Sequence, residues 1–330
     1  MKIAVIGAGA IGGVVAAYLK KAGEDVVLIG RGPQVDAINA KGLSIKGVRG
    51  SETISVPALT CLDQAYDLVI FAVKTQDIEE AFAANCEHLE KGLLLTTENG
   101  VQADNLLSSH FDPDRQLSSI VMFGATYIEP GVITLNFEGD WIVGRPFGPL
   151  DPTAHAVIAV LSKAFKTVPS GDILGQKYLK LFVNFNNCIP ALVGKSMQET
   201  FADMDLCRLS IMLLKEGLGI IGQTDIELVS LPDFPKERIY GLLGMPIEQA
   251  AGIIHKTLTS LSREALYGSI LQSIMRGVPS EIDFINGEIV QIAHHLKVPA
   301  TLNSKVVDMV HEVERTGKFF SIDEVKRRFF

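Results

Sequence analysis

The 330-residue sequence predicts an α/β protein, an N-terminal Rossmann-type doubly wound sheet followed by a C-terminal all-α domain. Three observations predict it. An apolar run at residues 3–6 meets a glycine hexapeptide, Gly7-Ala8-Gly9-Ala10-Ile11-Gly12, which opens a segment with helical spacing. Apolar runs then alternate with helical stretches through the first half, as in a parallel sheet with crossover helices. Beyond residue 170 the strand-like runs give way to helical periodicity.

The glycine turn comes first. Gly7 allows a tight turn, Gly9 lets the backbone approach a pyrophosphate, and Gly12 lets the helix pack close to the strand. The helix over 11–21 then offers unpaired N–H groups and a positive dipole end to phosphates. Gly7, Ala8, Gly9, Ala10, Ile11 and Gly12 are therefore candidate cofactor contacts, against the plainer alternative of an ordinary glycine-rich βα turn.

The second strand, 26–29, runs out at Gly30 and is followed by Arg31, with no acid beside it. A site for NAD usually carries Asp or Glu about 20 residues past the glycines, on the ribose 2′-hydroxyl. A guanidinium instead suits a 2′-phosphate, which its planar fork holds bidentately. Unless Arg31 is a solvated loop charge, it selects NADP(H) over NAD(H).

An amphipathic stretch at 35–41 and a β-like segment at 43–56 follow. After Asp67, residues 68–73 form a continuous apolar run, as a strand buried on both faces of a parallel sheet requires. Residues 93–97 and 118–123 read as further strands, and 132–135 with 141–143 as a late hairpin that extends the sheet in mixed sense. Ligands of such sheets bind beyond the carboxyl ends of the strands. Lys74 and Asn99 leave strands at that edge. Each has a plain alternative, a solvated lysine and an Asn-Gly turn pair.

Composition narrows the class. With 47% hydrophobic and 21% charged residues, the chain reads as a globular protein with a substantial core. A net charge of -8 and the lack of a basic stripe argue against a nucleic-acid partner. Lys326-Arg327-Arg328 reads as the solvated face of a terminal helix. No run approaches the roughly 18 apolar residues of a membrane helix, and four glycines interrupt the apolar start that resembles a signal peptide. The four cysteines, Cys61, Cys86, Cys188 and Cys207, lack CxxC or metal-ligand spacing and read as reduced, mostly buried thiols of a cytoplasmic protein. His294 and His295 point to different sides of a helix and read as surface residues, so no metal is expected. Oligomeric state is left open, a homo-oligomer included.

Residues 169–171, Pro-Ser-Gly, read as a linker between domains at 1–170 and 171–330. Helices are expected over 176–192, 204–223, 246–264, 283–295 and 303–316. In the first of them Lys180, Asn184 and Asn187 fall at i, i+4 and i+7, on one face of a helix otherwise rich in Leu, Phe and Val. Polar groups there are costly unless partnered. They form either a surface stripe with locally satisfied asparagines or a site wall, a lysine to donate a proton and an asparagine to hold substrate oxygen.

The octapeptide Ser280-Glu281-Ile282-Asp283-Phe284-Ile285-Asn286-Gly287, followed by Val298-Pro299-Ala300-Thr301-Leu302-Asn303, resembles the ketopantoate reductase (2-dehydropantoate 2-reductase) family. The likeness runs through nearly the whole chain, and Glu-Ile-Asp-x-Ile-Asn-Gly is its most specific part. It implies an N-terminal domain that binds NADPH and a helical domain that closes over it, with the substrate between. Gly7, Gly9 and Gly12 match the family's phosphate loop, Arg31 its 2′-phosphate arginine and Lys74 a lysine at the cofactor. Asn99 matches an asparagine beside cofactor and substrate. Lys180 matches the catalytic acid and Asn184 a substrate-binding asparagine, while Ser269 looks like the serine that binds the substrate carboxylate. Glu281 matches the carboxylate that works with the lysine, at the cofactor.

The chemistry asks for such groups. Hydride delivery to a ketone leaves charge on the carbonyl oxygen, and an ammonium within about 3 Å can protonate it. Three departures bear on the substrate. Cys188 stands where the family often has a further asparagine, Gly277-Val278-Pro279-Ser280 replaces the common Gly-Arg-x-Thr, and residues 228–246 look like an insertion. Three functions follow: reduction of 2-dehydropantoate to pantoate, reduction of another 2-oxo or β-keto acid by the same chemistry, or a non-catalytic dinucleotide sensor. A sensor needs no proton donor, which counts against it.

Arg31→Asp is expected to weaken NADPH binding far more than NADH binding, read as two dissociation constants from fluorescence titration. Equal losses would reject Arg31 as the 2′-phosphate ligand.

Overall fold

Every residue except Arg263 is described by the structure, a computed structural model. The chain divides into two compact units, Met1–Leu174 and Gly175–Phe330. No helix of either is long and apolar enough to cross a membrane, among the described residues.

The first unit alternates as its apolar runs require: β1 (Lys2–Ile6), α1 (Ala10–Lys21), β2 (Asp25–Ile29), α2 (Gly32–Lys41), β3 (Leu43–Gly47), β4 (Glu52–Ile54), β5 (Ala58–Leu59) and β6 (Leu68–Phe71). It continues through α3 (Ile78–Ala83), β7 (Leu93–Thr96), α4 (Gln102–Ser108), β8 (Gln116–Val121), β9 (Gly124–Glu129), β10 (Val132–Phe137), β11 (Trp141–Gly144), α5 (Pro152–Leu161) and β12 (Thr167–Ser170). Eight strands make the main sheet, in the order β12-β11-β8-β7-β6-β1-β2-β5. Pairing is parallel from β8 to β5, whereas β11 runs antiparallel to β8.

Successive residues of β1 face opposite cores. Ile3 and Val5 join the one that includes α1 and α5, while Ala4 and Ile6 join the one against α3 and α4. The strand is therefore apolar throughout, not alternating.

The late hairpin expected over 132–143 does not form. β10 belongs to a second sheet, β4-β3-β10-β9, and β11 belongs to the main one. Between them the chain passes so near Met122 that a Cβ on Gly139 would lie 2.3 Å from its carbonyl oxygen. The actual hairpin joins β9 to β10 through Pro130-Gly131, with Gly131 at φ +79°. The two strands differ in burial as their sheets require. β11 is buried at every position, while β10 buries one face against α1. Gly13 on α1 makes that packing close, since a Cβ there would meet Ile133 at 2.2 Å.

The linker expected at 169–171 is also not free chain. Thr167–Ser170 is β12, paired parallel with β11. Its Pro169 is tolerated because β12 is an edge of the sheet.

The helices from there on are α6 (Ile173–Asn184), α7 (Cys188–Val193), α8 (Met197–Thr200), α9 (Met204–Ile221), α10 (Glu237–Gly244), α11 (Ile247–Thr259), α12 (Ser269–Met275), α13 (Asn286–Leu296), α14 (Thr301–Thr316) and α15 (Ile322–Phe329). The helix expected over 176–192 is broken. After Asn184 the chain tightens into a 3-10 turn, Phe185–Asn187, before α7 begins. Pro190 explains the break, because it has no N–H for the Asn186 carbonyl and its ring would crowd that oxygen. α9 closes on the break through Gly217, where a Cβ would sit 2.8 Å from Phe185 and 2.9 Å from Phe182.

The helix expected over 246–264 ends at Thr259, and its position 263 lies outside the described residues. The segment 228–246 is not all irregular, since α10 lies within it. Two further expectations fail. Only Cys188 and Cys207 are buried, whereas Cys61 and Cys86 are exposed, because they fall in short connections outside the apolar runs. Nor is the basic face of α15 merely solvated. Lys326 Nζ lies 2.6 Å from Asp203 and 3.1 Å from Asp205, which pins α15 to the start of α9.

Gly12→Ala is expected to destabilise the protein by about 1–3 kcal/mol, because its Cβ would lie 2.0 Å from the Gly7 carbonyl oxygen and neither backbone can yield. Gly9→Ala, whose Cβ meets nothing within 4 Å, should lose less than half as much in the same thermal melts.

Candidate active site

The first unit brings four loops to one edge of its sheet. β7, β6, β1 and β2 are neighbours in that order and parallel, so the segments after their carboxyl ends emerge side by side. Those segments carry Asn99, Lys74, the glycine turn and Arg31. Thr75 Oγ1 donates to the Asn99 carbonyl at 3.3 Å, tying the Lys74 and Asn99 loops together.

The glycine turn is tight where it was expected to be. Gly7 has φ +113°, and a Cβ there would lie 2.5 Å from the Ala72 backbone. At Gly9 the equivalent space is open. α1 starts directly after it with no side-chain cap and no acid in its first turn. Its N–H groups and positive dipole end are thus left for an anion, and the cradle fits a pyrophosphate.

Arg31 is exposed, precedes α2 and makes no ion pair among the described residues. A residue that sequence reasoning missed holds this region in place. Buried Gln34 donates from Nε2 to the Ala8 carbonyl at 3.0 Å, and its Oε1 accepts from the Gly131 N–H at 2.8 Å. One side chain therefore ties the glycine turn to the second sheet. A buried glutamine three residues past a proposed binding arginine is the signal, but nothing in its spacing marks the partner.

The second unit gathers its own group. Lys180 and Asn184 lie one turn apart on α6, both half-buried. Asn187, on the far side of the break, leaves their stripe and packs against Gly268, where a Cβ would meet its Oδ1 at 2.6 Å. Asn186 accepts from Ser210 on α9. Ser269 opens α12, which packs on the 3-10 turn and α7. Glu281 precedes a second 3-10 turn, Ile282–Phe284. Two of these residues meet electrostatically. Burial lowers the Lys180 amine to about 8, Glu281 pulls it upward, and Lys177 pushes it down.

Lys177 is a second missed residue, 3% exposed and three positions before Lys180 on the same helix. The i, i+3 spacing of two lysines was legible, but its burial was not. Between them Tyr178, also buried, has its phenol pushed up to about 12 by burial and by the charge of Glu288 on α13.

The asparagines of the 280–303 motif have a structural task. Asn286 and Asn303 are fully buried, and Asn286 Nδ2 donates to Asn303 Oδ1 at 3.0 Å. Asn303 donates to Glu216 of α9 from its backbone N–H at 2.7 Å and from Nδ2 at 2.8 Å. The network joins α13, α14 and α9 and leaves Asn303 satisfied, as burial demands. His294 and His295 are exposed.

Family comparison agrees across both units. The model described as "Ketopantoate reductase PanE/ApbA" matches residues 3–146, and its C-terminal counterpart matches residues 172–314. The chain belongs to the ketopantoate reductase family. A 2-dehydropantoate 2-reductase of Pyrococcus horikoshii is 31% identical over 321 residues, 96% of this chain and 99% of its own. One from Archaeoglobus fulgidus is 25% identical over 319 residues, covering 95% and 98%. The crystal structure of a PanE/ApbA family ketopantoate reductase from Ralstonia eutropha has a TM-score of 0.80 at 25% identity, covering 96% and 99%. A ternary structure of D-mandelate dehydrogenase with NADH and anilino(oxo)acetate shares the fold, with a TM-score of 0.81 at 21% identity and coverage of 96% and 99%. Like other ketopantoate reductases, the chain is an oxidoreductase of the nicotinamide-dependent kind.

Lys177→Met is expected to move the Lys180 pKa above its value of about 8, because a like charge is removed. The pH dependence of Lys180 acylation, followed by mass spectrometry, measures it, and an unchanged or lower midpoint would contradict the electrostatic coupling.

Proposed function

We propose that this ketopantoate reductase reduces 2-dehydropantoate to (R)-pantoate with NADPH, Lys180 being the proton donor. The observation that carries the reading is the Lys180 amine, brought to about 8 by burial and held in its charged form by Glu281. Such a pKa leaves the group protonated at neutral pH yet ready to release its proton.

The glycine turn and the free first turn of α1 suit the pyrophosphate, and exposed Arg31 suits a 2′-phosphate. Lys74 and Asn99 leave the same sheet edge and are assigned to the cofactor, Asn99 to the substrate as well. When bound, the reduced nicotinamide supplies the hydride. Lys180 then gives its proton to the carbonyl oxygen as charge develops there, and Glu281 orients the ammonium and stands at the cofactor. Asn184 and Ser269 hold the substrate, Ser269 through its carboxylate. The unit Met1–Leu174 thus serves the dinucleotide and the unit Gly175–Phe330 the substrate. Four free cysteines suit a reducing compartment such as the cytoplasm.

A second reading keeps the chemistry and changes the acid. Cys188 and the 277–280 stretch depart from the family pattern on the substrate side, and a fold by itself does not choose a substrate. An alternative 2-oxo or β-keto acid is therefore the competing outcome of the assay.

NADPH oxidation across a panel of 2-oxo acids tests both. A marked preference for 2-dehydropantoate supports the first reading, preference for another acid transfers it to the second, and tight NADPH binding without turnover would indicate a sensor. Lys180→Ala is expected to keep NADPH affinity and lose about 10²–10⁴-fold in kcat. In the unaltered enzyme kcat should fall as pH rises through about 8, where the ammonium of Lys180 is lost. Near-normal turnover by the variant would reject Lys180 as the acid.

A further inference from the structure

The loop that carries Glu281 is held from α14 by a group of side chains to which neither the sequence motif nor the proposed chemistry gives a task. Ser280, immediately before Glu281, donates its backbone N–H to Glu314 Oε1 at 2.8 Å. Asp283, two residues after Glu281, has its Oδ1 2.9 Å from His311 Nε2. The other ring nitrogen, His311 Nδ1, lies 3.0 Å from Glu314 Oε2. One imidazole thus links both anchors: it holds Asp283 directly and orients the carboxylate that holds Ser280.

We propose that His311 is a positioning residue for Glu281, fixing the loop on both sides of that carboxylate. The inference rests on the reading that Glu281 belongs to the active site.

The local chemistry supports a rigid hold. An imidazolium donates from both nitrogens and satisfies two carboxylates at once, whereas a neutral ring donates from one. Burial works against the charged ring, but the hydrogen bonds and charges of Asp283 and Glu314 outweigh it, and the His311 pKa lies above its ordinary value. The loop is also tied within itself. Ser280 is buried, the Ile282 N–H reaches its Oγ at 3.3 Å, and the Phe284 N–H reaches the Glu281 carbonyl at 3.1 Å. Between residues 280 and 284 the backbone is therefore short and internally closed. Releasing either anchor frees the position of Glu281 directly.

The alternative that His311 only stabilises α14 makes a different prediction. A helix-stabilising residue would change the melting temperature of the protein and add its effect to that of any active-site variant. A positioning residue changes turnover through Glu281, so its effect disappears once Glu281 no longer acts.

Four variants of the full chain test this: His311→Leu, His311→Arg, Glu281→Gln and the double variant His311→Leu with Glu281→Gln. His311→Leu is expected to lower kcat about tenfold, as displacement of a catalytic group by a fraction of an ångström does, with the Kd for NADPH unchanged. His311→Arg, a cation able to reach both carboxylates, should restore at least half of the lost kcat. The His311→Leu loss should shrink to less than twofold in the Glu281→Gln background. Additive losses, or no loss in His311→Leu while Glu281→Gln is impaired, would overturn the positioning role. Normal turnover by Glu281→Gln would instead overturn the place of Glu281 in the site, a distinct failure. Should His311→Leu not fold, Asp283→Asn replaces it in the cycle with the same expectations.

Discussion

The charge on Lys180 is the constraint around which the helical unit is arranged. Desolvation opposes that charge and Lys177 opposes it further, so a carboxylate has to stand near enough to sustain it. Glu281 is that carboxylate, and it arrives from a loop about 100 residues further along the chain. Much of the second unit can be read as support for the pair. The break after Asn184 separates α6 from α7, α9 closes on the break through Gly217, and the Asn286–Asn303–Glu216 network sets α13 and α14 against α9.

The unit Met1–Leu174 solves a different problem by adjacency. Parallel order places four carboxyl ends beside one another, so residues far apart in sequence share one edge through backbone pairing. Side chains then stabilise the edge from beneath. Asp104 is buried and accepts from Thr96 at 2.6 Å and from Ser118 at 2.7 Å, joining α4, β7 and β8 just below the Asn99 loop. Gln34 does the equivalent work beneath the glycine turn. Buried polar groups of this kind are tolerated because they are hydrogen-bonded, and they confer fixed geometry more than net stability.

Family membership and fold leave the identity of the acid to the residues that contact it. The chain shares its backbone with both a ketopantoate reductase and a D-mandelate dehydrogenase. Position 188 holds a buried thiol, its pKa pushed up to about 12 by burial and its Sγ donating to the Phe185 carbonyl at 3.0 Å. A small apolar-tempered group of that kind packs where an amide would demand partners.

Local chemistry was legible from residues alone. Gly7 and Gly12 require a strand-turn-helix because only glycine fits the positive φ and the close approach, and the runs at 3–6, 26–29, 68–73 and 93–97 require buried parallel strands. The resemblance carried by residues 280–287 named the family. What period and spacing could not supply was partnership. Val132–Phe137 reads as a strand in either sheet, and only the crossing past Met122 decided which one it joined. Pro169 reads as a linker until β11 is there to pair with it. Burial of Lys177, the two-sided hold of His311 and the hydrogen bonds of Gln34 likewise depend on which distant elements pack together. A sequence determines what each segment can bury and how it can turn, but which polar group ends beside which is decided when the segments meet and every buried donor must find an acceptor.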